Sequence, residues 1–427
     1  MPKVRPNILL VIADDVGVDK IGAYGENPEA PATPNIDRLA EQGLLFRRAF
    51  ANPKCSPTRA GILTGRYGFR YGIGDHLIPS DDWALLLGEL TIPEALDLGD
   101  EPLYQHSAVG KWHLGGFEEG DWGFIHPNRS GFALYAGAME NLVGITLEDG
   151  RTQNYFHYRK VLNGSPYIRH VYATVDTTND AIHRIDRMEE PWFLWMAYNA
   201  AHSPYHAPPD ALNPSGVTDD DSGAARYDAM VESIDMELGR LLDSIPPDVR
   251  ERTLVVFIGD NGTPGSVRTG PQTGRPGKET VYEGGIRVPL VVAGPSVLVP
   301  GSEVEAMVLH TDLFATFLEL AEVWVDLPSE SISMAAYLED PGHPSQRDFV
   351  FAERFRPNGF VPHEMMRRTV REERWKLIVN DGVEELYDLE TDPLEATNLA
   401  TGVLTPEAEE ARERLHRRLA DVLESRW

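Results

Sequence analysis

The 427-residue sequence predicts an α/β fold, in which helices cover both sides of a large mixed, mostly parallel β-sheet. Four short apolar runs have the composition of buried strands, and segments with helical periodicity lie between them. The predicted strands are residues 8–13, 192–197, 254–259 and 290–293, and the predicted helices are residues 33–42, 91–98, 177–188, 224–244 and 310–323. This alternation is typical of parallel strands that are joined by helical crossovers.

A different pattern begins after residues 324–348, a stretch rich in Ser, Pro and Asp. Short antiparallel strands are predicted at residues 348–354, 366–371, 375–380 and 385–388, and an amphipathic helix at residues 406–426. We therefore expect a catalytic α/β domain over residues 1–325 and a smaller antiparallel-sheet domain with a closing helix over residues 345–427.

The charge and the cysteine content exclude several classes of protein. Acidic residues number 67 and basic residues 39, and a net charge of −28 disfavours general binding to nucleic acid or to anionic membranes. The single cysteine, Cys55, excludes an intramolecular disulfide and a Cys-rich zinc site. The apolar run at residues 8–13 is too short for a signal-peptide core, so we expect a cytoplasmic protein, or a periplasmic or secreted one if a signal peptide was removed.

Oxygen-bearing side chains directly follow two of the predicted strands. Asp14 and Asp15 come after the first strand, and Asp260 and Asn261 come after the strand at residues 254–259. Because ligands bind beyond the carboxyl ends of strands in α/β sheets, we expect these side chains to meet. Either group alone would be an ordinary cap or turn. Together they favour a Ca²⁺ or Mg²⁺ site rather than a zinc site.

Cys55 opens the segment Cys-Ser-Pro-Thr-Arg. Pro57 is placed like the first residue of a helix, which would put Cys55 at the helix mouth, where free N–H groups favour anions. Arg59 lies one turn further on and is able to reach back. This setting makes Cys55 a candidate nucleophile, whereas a lone cysteine is more often a small buried hydrophobic residue.

Basic side chains occur in three further segments. Lys111 and His113 are two residues apart, so in an extended segment both would point to the same side. His202 and His206 follow the second predicted strand, and without a third ligand they fit a general acid or a substrate contact better than a zinc site. Lys278 lies on a Gly-rich loop, where a lysine is usually solvated.

Taken together, these motifs resemble the type I sulfatase family of the alkaline-phosphatase-like superfamily. The signature Cys-x-Pro-Ser/Thr-Arg with Thr-Gly-Arg downstream is present as Cys55, Pro57, Thr58, Arg59 and residues 64–66. Further matches follow the family's order at residues 7–15, 33–39, 110–115, 202–204, 259–262, 278–289 and 374–399. The resemblance covers nearly the whole chain and implies an alkaline-phosphatase-like fold with a small C-terminal subdomain.

The resemblance also implies a modified nucleophile and a metal ion. Cys55 would be converted to Cα-formylglycine by a separate formylglycine-generating maturation enzyme. One hydroxyl of the hydrated aldehyde would attack sulfur, and the other would later expel sulfate by C–O cleavage. The ion, Ca²⁺ in most of the family and sometimes Mg²⁺, would be held by Asp14, Asp15, Asp260, Asn261 and an oxygen of residue 55.

The remaining roles follow from the same matches. The resemblance implies that Arg59 steadies the formylglycine and that Lys111 and Lys278 contact the sulfate oxygens, where charge develops in the transition state. It implies that His202 protonates the leaving alcohol, and that His113 helps to collapse the covalent sulfate hemiacetal.

Three residues outside the universal family positions, His206, Asp75 and His76, are interpreted as substrate contacts, and residues 263–276 as typical of a subgroup. The sequence thus predicts an arylsulfatase-like sulfuric ester hydrolase, which converts an aryl, sugar or alkyl sulfate monoester into alcohol and inorganic sulfate. A phosphonate monoester or phosphodiester hydrolase with the same formylglycine machinery is the alternative. The expected partners are a small sulfated substrate and the maturation enzyme, not nucleic acid or a membrane.

Overall fold

A computed structural model of the protein describes residues 5–81, 83–100, 103–115, 123–326, 328 and 330–425. Within these residues the strands form two separate sheets, one of ten strands and one of four. The predicted fold class, a large mixed sheet with helices and a smaller antiparallel sheet, is confirmed. No helix among the described residues has both the length and the apolar composition that crossing a bilayer requires.

The larger sheet occupies the first three quarters of the chain. Its strands are β1 (Asn7–Ala13), β2 (Leu44–Phe50), β3 (Gln105–Gly110), β4 (Leu134–Gly137), β5 (Tyr158–Leu162), β6 (Ser165–Arg169), β7 (Trp192–Ala197), β8 (Thr253–Gly259), β9 (Leu290–Ala293) and β10 (Ser302–Leu309). They are arranged in the order β10-β2-β9-β8-β1-β7-β3-β4-β5-β6. The central strands β8, β1, β7 and β3 are parallel to one another, so their carboxyl ends share one edge of the sheet.

Helices cover both faces of this sheet. The helices are α1 (Pro34–Glu41), α2 (Cys55–Thr64), α3 (Gly68–Tyr71), α4 (Ile92–Leu96), α5 (His126–Arg129), α6 (Ala173–Ile185), α7 (Gly223–Ser244), α8 (Pro247–Arg250), α9 (Glu283–Ile286), α10 (Asp312–Leu320), α11 (Ala335–Glu339) and α12 (Pro406–Glu424). Alternate residues of β1 enter two different cores, because side chains of a strand point to opposite faces. Leu10 packs with α2, α4 and α10, whereas Leu9 packs with α1, α6 and α7.

The smaller sheet is antiparallel throughout. Its strands are β11 (Val350–Arg356), β12 (Met365–Arg371), β13 (Trp375–Asn380) and β14 (Val383–Asp388), paired in chain order. The C-terminal helix α12 packs on one face through Ala411 and Leu415. The opposite face lies against loops of the large sheet, where Ile378 and Tyr387 contact Val281.

Several elements differ from the prediction. Six described strands of the large sheet, β2 to β6 and β10, were not predicted, and polar residues interrupt the apolar patterns of β2, β3 and β10. In β2 the interruption is Arg47 and Arg48, which pair with Glu303 and Glu305 of the neighbouring β10. Helix α12 ends at Glu424, and the predicted end at residue 426 lies outside the described residues. The proposed domain limits remain a prediction.

A buried ion triad joins the two sheets. Lys376 of β13 is fully buried, and its Nζ lies 3.0 Å from Glu283 Oε1 and 2.7 Å from Glu395 Oε1. Glu283 begins α9, next to the large sheet, so the lysine holds together carboxylates from both parts of the chain. Burial penalises each of these charges, and only mutual pairing makes the arrangement tolerable.

We therefore expect Lys376→Ala to destabilise the protein by about 3–5 kcal/mol, because it leaves Glu395 buried without a cation and leaves Glu283 only the longer contact with Arg371, at 3.7 Å. Urea unfolding monitored by circular dichroism measures this effect. The matched control is Arg417→Ala on α12, whose pair with Glu413 is 3.8 Å long and 65% exposed on both sides. The control should change the free energy of unfolding by less than about 1 kcal/mol. Equal unfolding midpoints for the two variants would contradict a stabilising role for the triad.

Candidate active site

Adjacent parallel strands deliver most of the predicted site residues to one place. Asp260 and Asn261 follow β8, and Asp14 and Asp15 follow β1. The backbone N–H of Asp15 donates to Asp260 Oδ1 at 3.1 Å, which locks the two strand ends together. All four side chains are at most 2% exposed. The expectation that these groups meet beyond the carboxyl edge therefore agrees with the geometry.

Cys55 is the first residue of α2, and Lys54 precedes the helix as its N-cap. The predicted start at Pro57 is wrong by two residues; Pro57 still lies in the first turn, where no intrahelical N–H bond is lost. Arg59 lies one turn along, and its described hydrogen bonds go to residues other than Cys55. Its Nε donates to Asp260 Oδ2 at 2.9 Å, and its Nη1 donates to the Lys111 carbonyl at 2.9 Å.

His113 contacts the cysteine directly. Its Nδ1 lies 3.3 Å from Cys55 Sγ, and its Nε2 lies 3.0 Å from the Leu77 carbonyl oxygen. Because a carbonyl only accepts, Nε2 carries the hydrogen and Nδ1 faces the sulfur as an acceptor. The backbone at His113 has φ = 63°, so the segment is not extended there as predicted. This turn is what aims the imidazole at Cys55.

The two lysines pair with the aspartates. Lys111 contacts Asp14 Oδ2, and Lys278 Nζ lies 2.5 Å from Asp15 Oδ1 and 2.7 Å from Oδ2. Burial favours the neutral carboxyl, yet Lys278, His202 and Lys111 together hold the pKa of Asp15 far below its usual value. Lys278 is not solvated, contrary to what its loop position alone would suggest: its side chain is 8% exposed.

Asp260 has the opposite shift. Burial and the neighbouring Asp14 carboxylate raise the pKa of Asp260 to about 6, although Arg59 works in the other direction. Burial and Lys111 lower the pKa of His113 well below its ordinary value, so this imidazole is neutral. Burial also raises the pKa of the Cys55 thiol.

The arrangement of oxygen atoms fits a divalent cation. Ligand atoms of Asp14, Cys55 and Asp260 lie within 4.8 Å of one another. Asp14 Oδ1 and Asn261 Oδ1 are buried acceptors with no hydrogen-bond partner among the described residues, and a hard cation would satisfy both. Asp15, the fifth predicted ligand, is instead engaged by Lys278 and by Asn261 Nδ2 at 2.9 Å.

His202 lies on the opposite side of the site, after β7. Its Nδ1 is 2.8 Å from the Ser203 carbonyl oxygen, so Nδ1 carries the hydrogen and Nε2 faces the site, 4.0 Å from Asp15 Oδ2. Tyr155 fixes this turn, because its hydroxyl donates to the carbonyls of Asn199 and His202. Burial and Lys278 lower the pKa of His202 to about 4.

The loop that carries Lys278 is held by residues that sequence reasoning missed. The Lys278 N–H donates to the Thr263 carbonyl at 3.0 Å, which closes the loop, and Arg268 Nη1 donates to the Pro276 carbonyl within it. Asp19 accepts from Thr263 Oγ1 at 2.8 Å and from Arg268 Nε at 3.4 Å. Contacts among Asp19, Thr263, Arg268 and Pro276 thus hold residues 263–276, the predicted subgroup-specific stretch, against the segment that follows β1.

The three residues predicted to contact substrate lie in different surroundings. His76 lies beside the site, with its ring centroid 6.4 Å from that of His113. Asp75 is fully buried and cannot touch a substrate; its Oδ1 accepts from His76 Nδ1 at 2.6 Å and its Oδ2 from Arg354 Nε at 2.7 Å. His206 makes no described contact with the predicted catalytic residues, and its ring packs at a tilt against Tyr155, with ring centroids 4.4 Å apart.

Asp75 is the centre of a network that the sequence did not reveal. Lys54, which directly precedes Cys55, lies 3.5 Å from Asp75 Oδ1 and 2.7 Å from Glu279 Oε1. Arg354 of β11 contacts Asp75 and the Glu279 carbonyl, so the small sheet touches the residue after Lys278. No sequence signal links positions this far apart.

Comparison with known families agrees with this arrangement. Residues 6–323 match the Sulfatase family model. The chain belongs to the sulfatase family. Residues 274–425 of this sulfatase-family chain also match the model of the N-sulphoglucosamine sulphohydrolase C-terminal region, which includes the small sheet.

Curated sulfatases align over most of the family member described here. N-acetylgalactosamine-6-sulfatase of Canis lupus familiaris is 32% identical over 74% of this chain and 62% of its own length. The chain thus spans less than two thirds of that relative. Arylsulfatase A of Homo sapiens is 30% identical over 96% of this chain and 87% of its own length.

Solved structures share the fold. Ps i-CgsB in complex with k-i-k-neocarrahexaose has a TM-score of 0.79 and 26% identity, covering 98% of this chain and 92% of its own. PsFucS1 sulfatase from Pseudoalteromonas sp. has a TM-score of 0.71 and 22% identity, covering 97% of this chain and 90% of its own. The latter, at this identity, supports the fold alone.

We expect Ca²⁺ to raise the thermal unfolding temperature, because it binds the folded carboxylate cluster and not the unfolded chain. At a free concentration one hundred times the Kd, the gain is about 2.7 kcal/mol. Asp14→Asn should lose most of this gain, while Asp220→Asn, on an exposed loop, should retain it. Differential scanning calorimetry of EDTA-treated protein with added Ca²⁺ measures both. A Ca²⁺ effect of equal size in the two variants would show that the ion binds elsewhere.

Proposed function

We propose that the protein is a sulfatase that hydrolyses an aryl, sugar or alkyl sulfate monoester to alcohol and inorganic sulfate. In this proposal residue 55, converted from Cys to formylglycine, is the nucleophile, and a divalent ion, Ca²⁺ or Mg²⁺, binds beside it. The observation that carries the proposal is the position of Cys55. It lies at the N-terminus of α2, 3.3 Å from His113 and within ligand reach of Asp14 and Asp260.

Anion binding is the first requirement of this function. The protein carries a net charge of −28, so a sulfate needs a local positive potential. Lys111 and Lys278 supply two buried ammonium groups, and the first turn of α2 adds free N–H groups. We assign both lysines to the sulfate oxygens, where they stabilise the charge of the transition state.

The nucleophile itself supports a modified residue. The buried thiol has a raised pKa and faces a neutral imidazole, so thiolate is scarce at neutral pH. The hydrate of a formylglycine would supply one hydroxyl for attack and a second whose deprotonation releases sulfate. Arg59 reaches Asp260 and the Lys111 carbonyl, and in this role it orders the groups around residue 55.

The metal ion, when bound, would polarise a sulfate oxygen and favour deprotonation of the nucleophile. Asp14, Asp260 and Asn261 would hold it together with residue 55, and Asp15, which pairs with Lys278 in this structure, is the further ligand that the family resemblance implies. We also assign to Asp260, whose carboxylate lies within ligand reach of residue 55, uptake of the proton of the nucleophile.

The two histidines are assigned to different steps. His202 Nε2 faces the site, so we assign to it protonation of the leaving oxygen. Burial and, after it, Lys278 lower the pKa of the free His202, and a bound sulfate would offset the contribution of the lysine. His113 Nδ1 faces residue 55 and is positioned to accept a proton when sulfate departs.

The maturation of Cys55 is tested directly by mass spectrometry. Protein co-expressed with a formylglycine-generating enzyme should contain the aldehyde or its hydrate at residue 55 and should hydrolyse 4-nitrophenyl sulfate. Cys55→Ala, with the same fold and no convertible side chain, should be inactive. Full activity in a preparation that contains only the unmodified thiol would refute the proposed nucleophile.

The reaction class needs its own comparison. A sulfate monoester and a phosphonate monoester with the same 4-nitrophenol leaving group should be hydrolysed by the mature protein at different kcat/KM values. We expect the sulfate ester to be preferred. A clear preference for the phosphonate would favour the phosphonate monoester hydrolase instead.

The leaving group distinguishes the histidines. Removal of a general acid typically costs about 10²–10⁴-fold in rate, and a poor leaving group needs that proton most. His202→Ala should therefore lose far more activity with alkyl or sugar sulfates than with an activated aryl sulfate. His113→Ala should slow all substrates once sulfate release limits turnover, and sulfated enzyme should accumulate. Identical leaving-group slopes for the wild type and His202→Ala would exclude the general acid role.

A further inference from the structure

Arginines of the small sheet face the catalytic loops. In the register of β11 and β12, Arg354 lies directly opposite Arg367, and Arg356 lies two residues further along the same face. Like charges directly opposite each other on paired strands are unfavourable unless anions lie close by. The position of these arginines therefore requires a partner of opposite charge on the large domain.

The available anions satisfy only part of this set. Asp75 and Glu279 are the carboxylates that contact it, and Arg354 engages both residues. Lys54 also forms an ion pair with each of these carboxylates, with its Nζ 3.5 Å from Asp75 Oδ1 and 2.7 Å from Glu279 Oε1. With Arg356 and Arg367, four cations face two carboxylates.

Of these four cations, Arg356 and Arg367 are the two whose guanidinium groups have few partners among the described residues. Arg356 reaches Asp75 Oδ2 through Nε alone, at 3.2 Å, and its side chain is 40% exposed. Among the described residues no partner contacts its two terminal nitrogens. Arg367 makes one long bond, 3.5 Å, to the Glu279 carbonyl, and no ion pair with a described carboxylate. Both guanidinium groups thus keep N–H donors that have no hydrogen-bond partner among the described residues.

The contacts of this pair of arginines lead back to the residues of the proposed sulfate site. Glu279 directly follows Lys278, and Lys54 directly precedes Cys55. Asp75 also holds His76, whose ring packs next to His113. Arg356 is thus linked to His113 through Asp75 and His76. Arg367 contacts the carbonyl of Glu279, the residue that follows Lys278.

We propose that Arg356 and Arg367 bind a second anionic substituent, a carboxylate or a further sulfate, on the substrate whose scissile sulfate lies at residue 55. This inference rests on the proposed function and narrows its substrate class to multiply anionic sulfate esters. Guanidinium groups suit both substituents, because they bind planar or tetrahedral oxyanions through paired N–H donors. On a chain with a net charge of −28, two such groups recognise a nearby anion without attracting polyanions in general.

Steady-state kinetics on the mature full-length protein tests the inference. Matched substrate pairs, monosulfated hexoses with the corresponding disulfates and with sulfated uronic acids, share one scissile sulfate and differ in the second charge. The wild type should prefer the doubly charged member of at least one pair by about tenfold or more in kcat/KM, the equivalent of one charge-assisted hydrogen bond. Arg356→Gln and Arg367→Gln should each reduce this ratio toward one, and Arg356→Lys should restore part of it.

Arg417→Gln is the matched control, because it removes an exposed arginine of the same domain far from these contacts. It should leave the ratio unchanged. Equal proportional losses on both members of every pair, or no preference in the wild type, would overturn the inference while leaving the sulfatase function intact.

Binding measured without turnover separates the two proposals. Isothermal titration of Cys55→Ala protein with the same sugars should show tighter binding of the doubly charged member, and Arg356→Gln in that background should abolish the difference. A preference in binding without hydrolysis by the mature protein would refute the sulfatase function alone. Equal affinities for both members would refute the second anion site.

Discussion

The constraint on which the site depends is the burial of three carboxylates at two neighbouring strand ends. Asp14, Asp15 and Asp260 follow the parallel strands β1 and β8, so the topology of the sheet forces like charges together. Such a cluster is tolerable only because Lys111 and Lys278 lie among the acids and Arg59 pairs with Asp260. The backbone also contributes strain, since Asp15 adopts φ = 65°. The same low-dielectric environment strengthens the electrostatic interaction between these charged side chains and a bound cation or anion.

The compensating cations come from separate parts of the chain, and this distribution explains the supporting contacts. Lys111 follows β3, Arg59 lies on α2, and Lys278 lies on a loop closed by Thr263 and Arg268. Hydrogen bonds through Leu77 join two of these segments. Ser56 Oγ, on α2, accepts from the Leu77 N–H, and the Leu77 carbonyl accepts from His113, which follows Lys111 by two residues. The small sheet adds Arg354, which contacts Asp75 and the carbonyl of Glu279, the residue after Lys278. If one of the segments that bear these cations moved, a buried carboxylate would lose its ion pair. The cost of that unpaired charge opposes distortion of the site.

How much the sequence predicts depends on the range of the interaction. Three of the four central strands, β1, β7 and β8, and the acids at the ends of β1 and β8 were predictable, because a strand buried on both faces is a continuous apolar run and its end is a local event. The start of α2 at Cys55, the turn at His113 and the burial of Asp75 were not. These features depend on long-range partners: Arg354 is 279 residues from Asp75 along the chain, and neither residue stands in a recognisable motif. The roles of Lys111 and Lys278 came from family resemblance, since a lysine on a loop carries no signal of its own.

The lone cysteine illustrates how local pattern and three-dimensional environment combine. A thiolate nucleophile needs a protonated imidazole or another cation at hydrogen-bond distance. His113 cannot serve in that way, because its Nε2 hydrogen is given to Leu77 and because burial and Lys111 keep the ring neutral. Burial raises the pKa of the thiol, and Asp14 and Asp260 add to this shift, although Lys111 and Lys278 work against it. An environment that suppresses thiolate yet offers cation ligands and anion donors is poorly matched to cysteine chemistry. It is well matched to an oxygen nucleophile at the same Cβ position, and this mismatch is the physical argument for a modified residue.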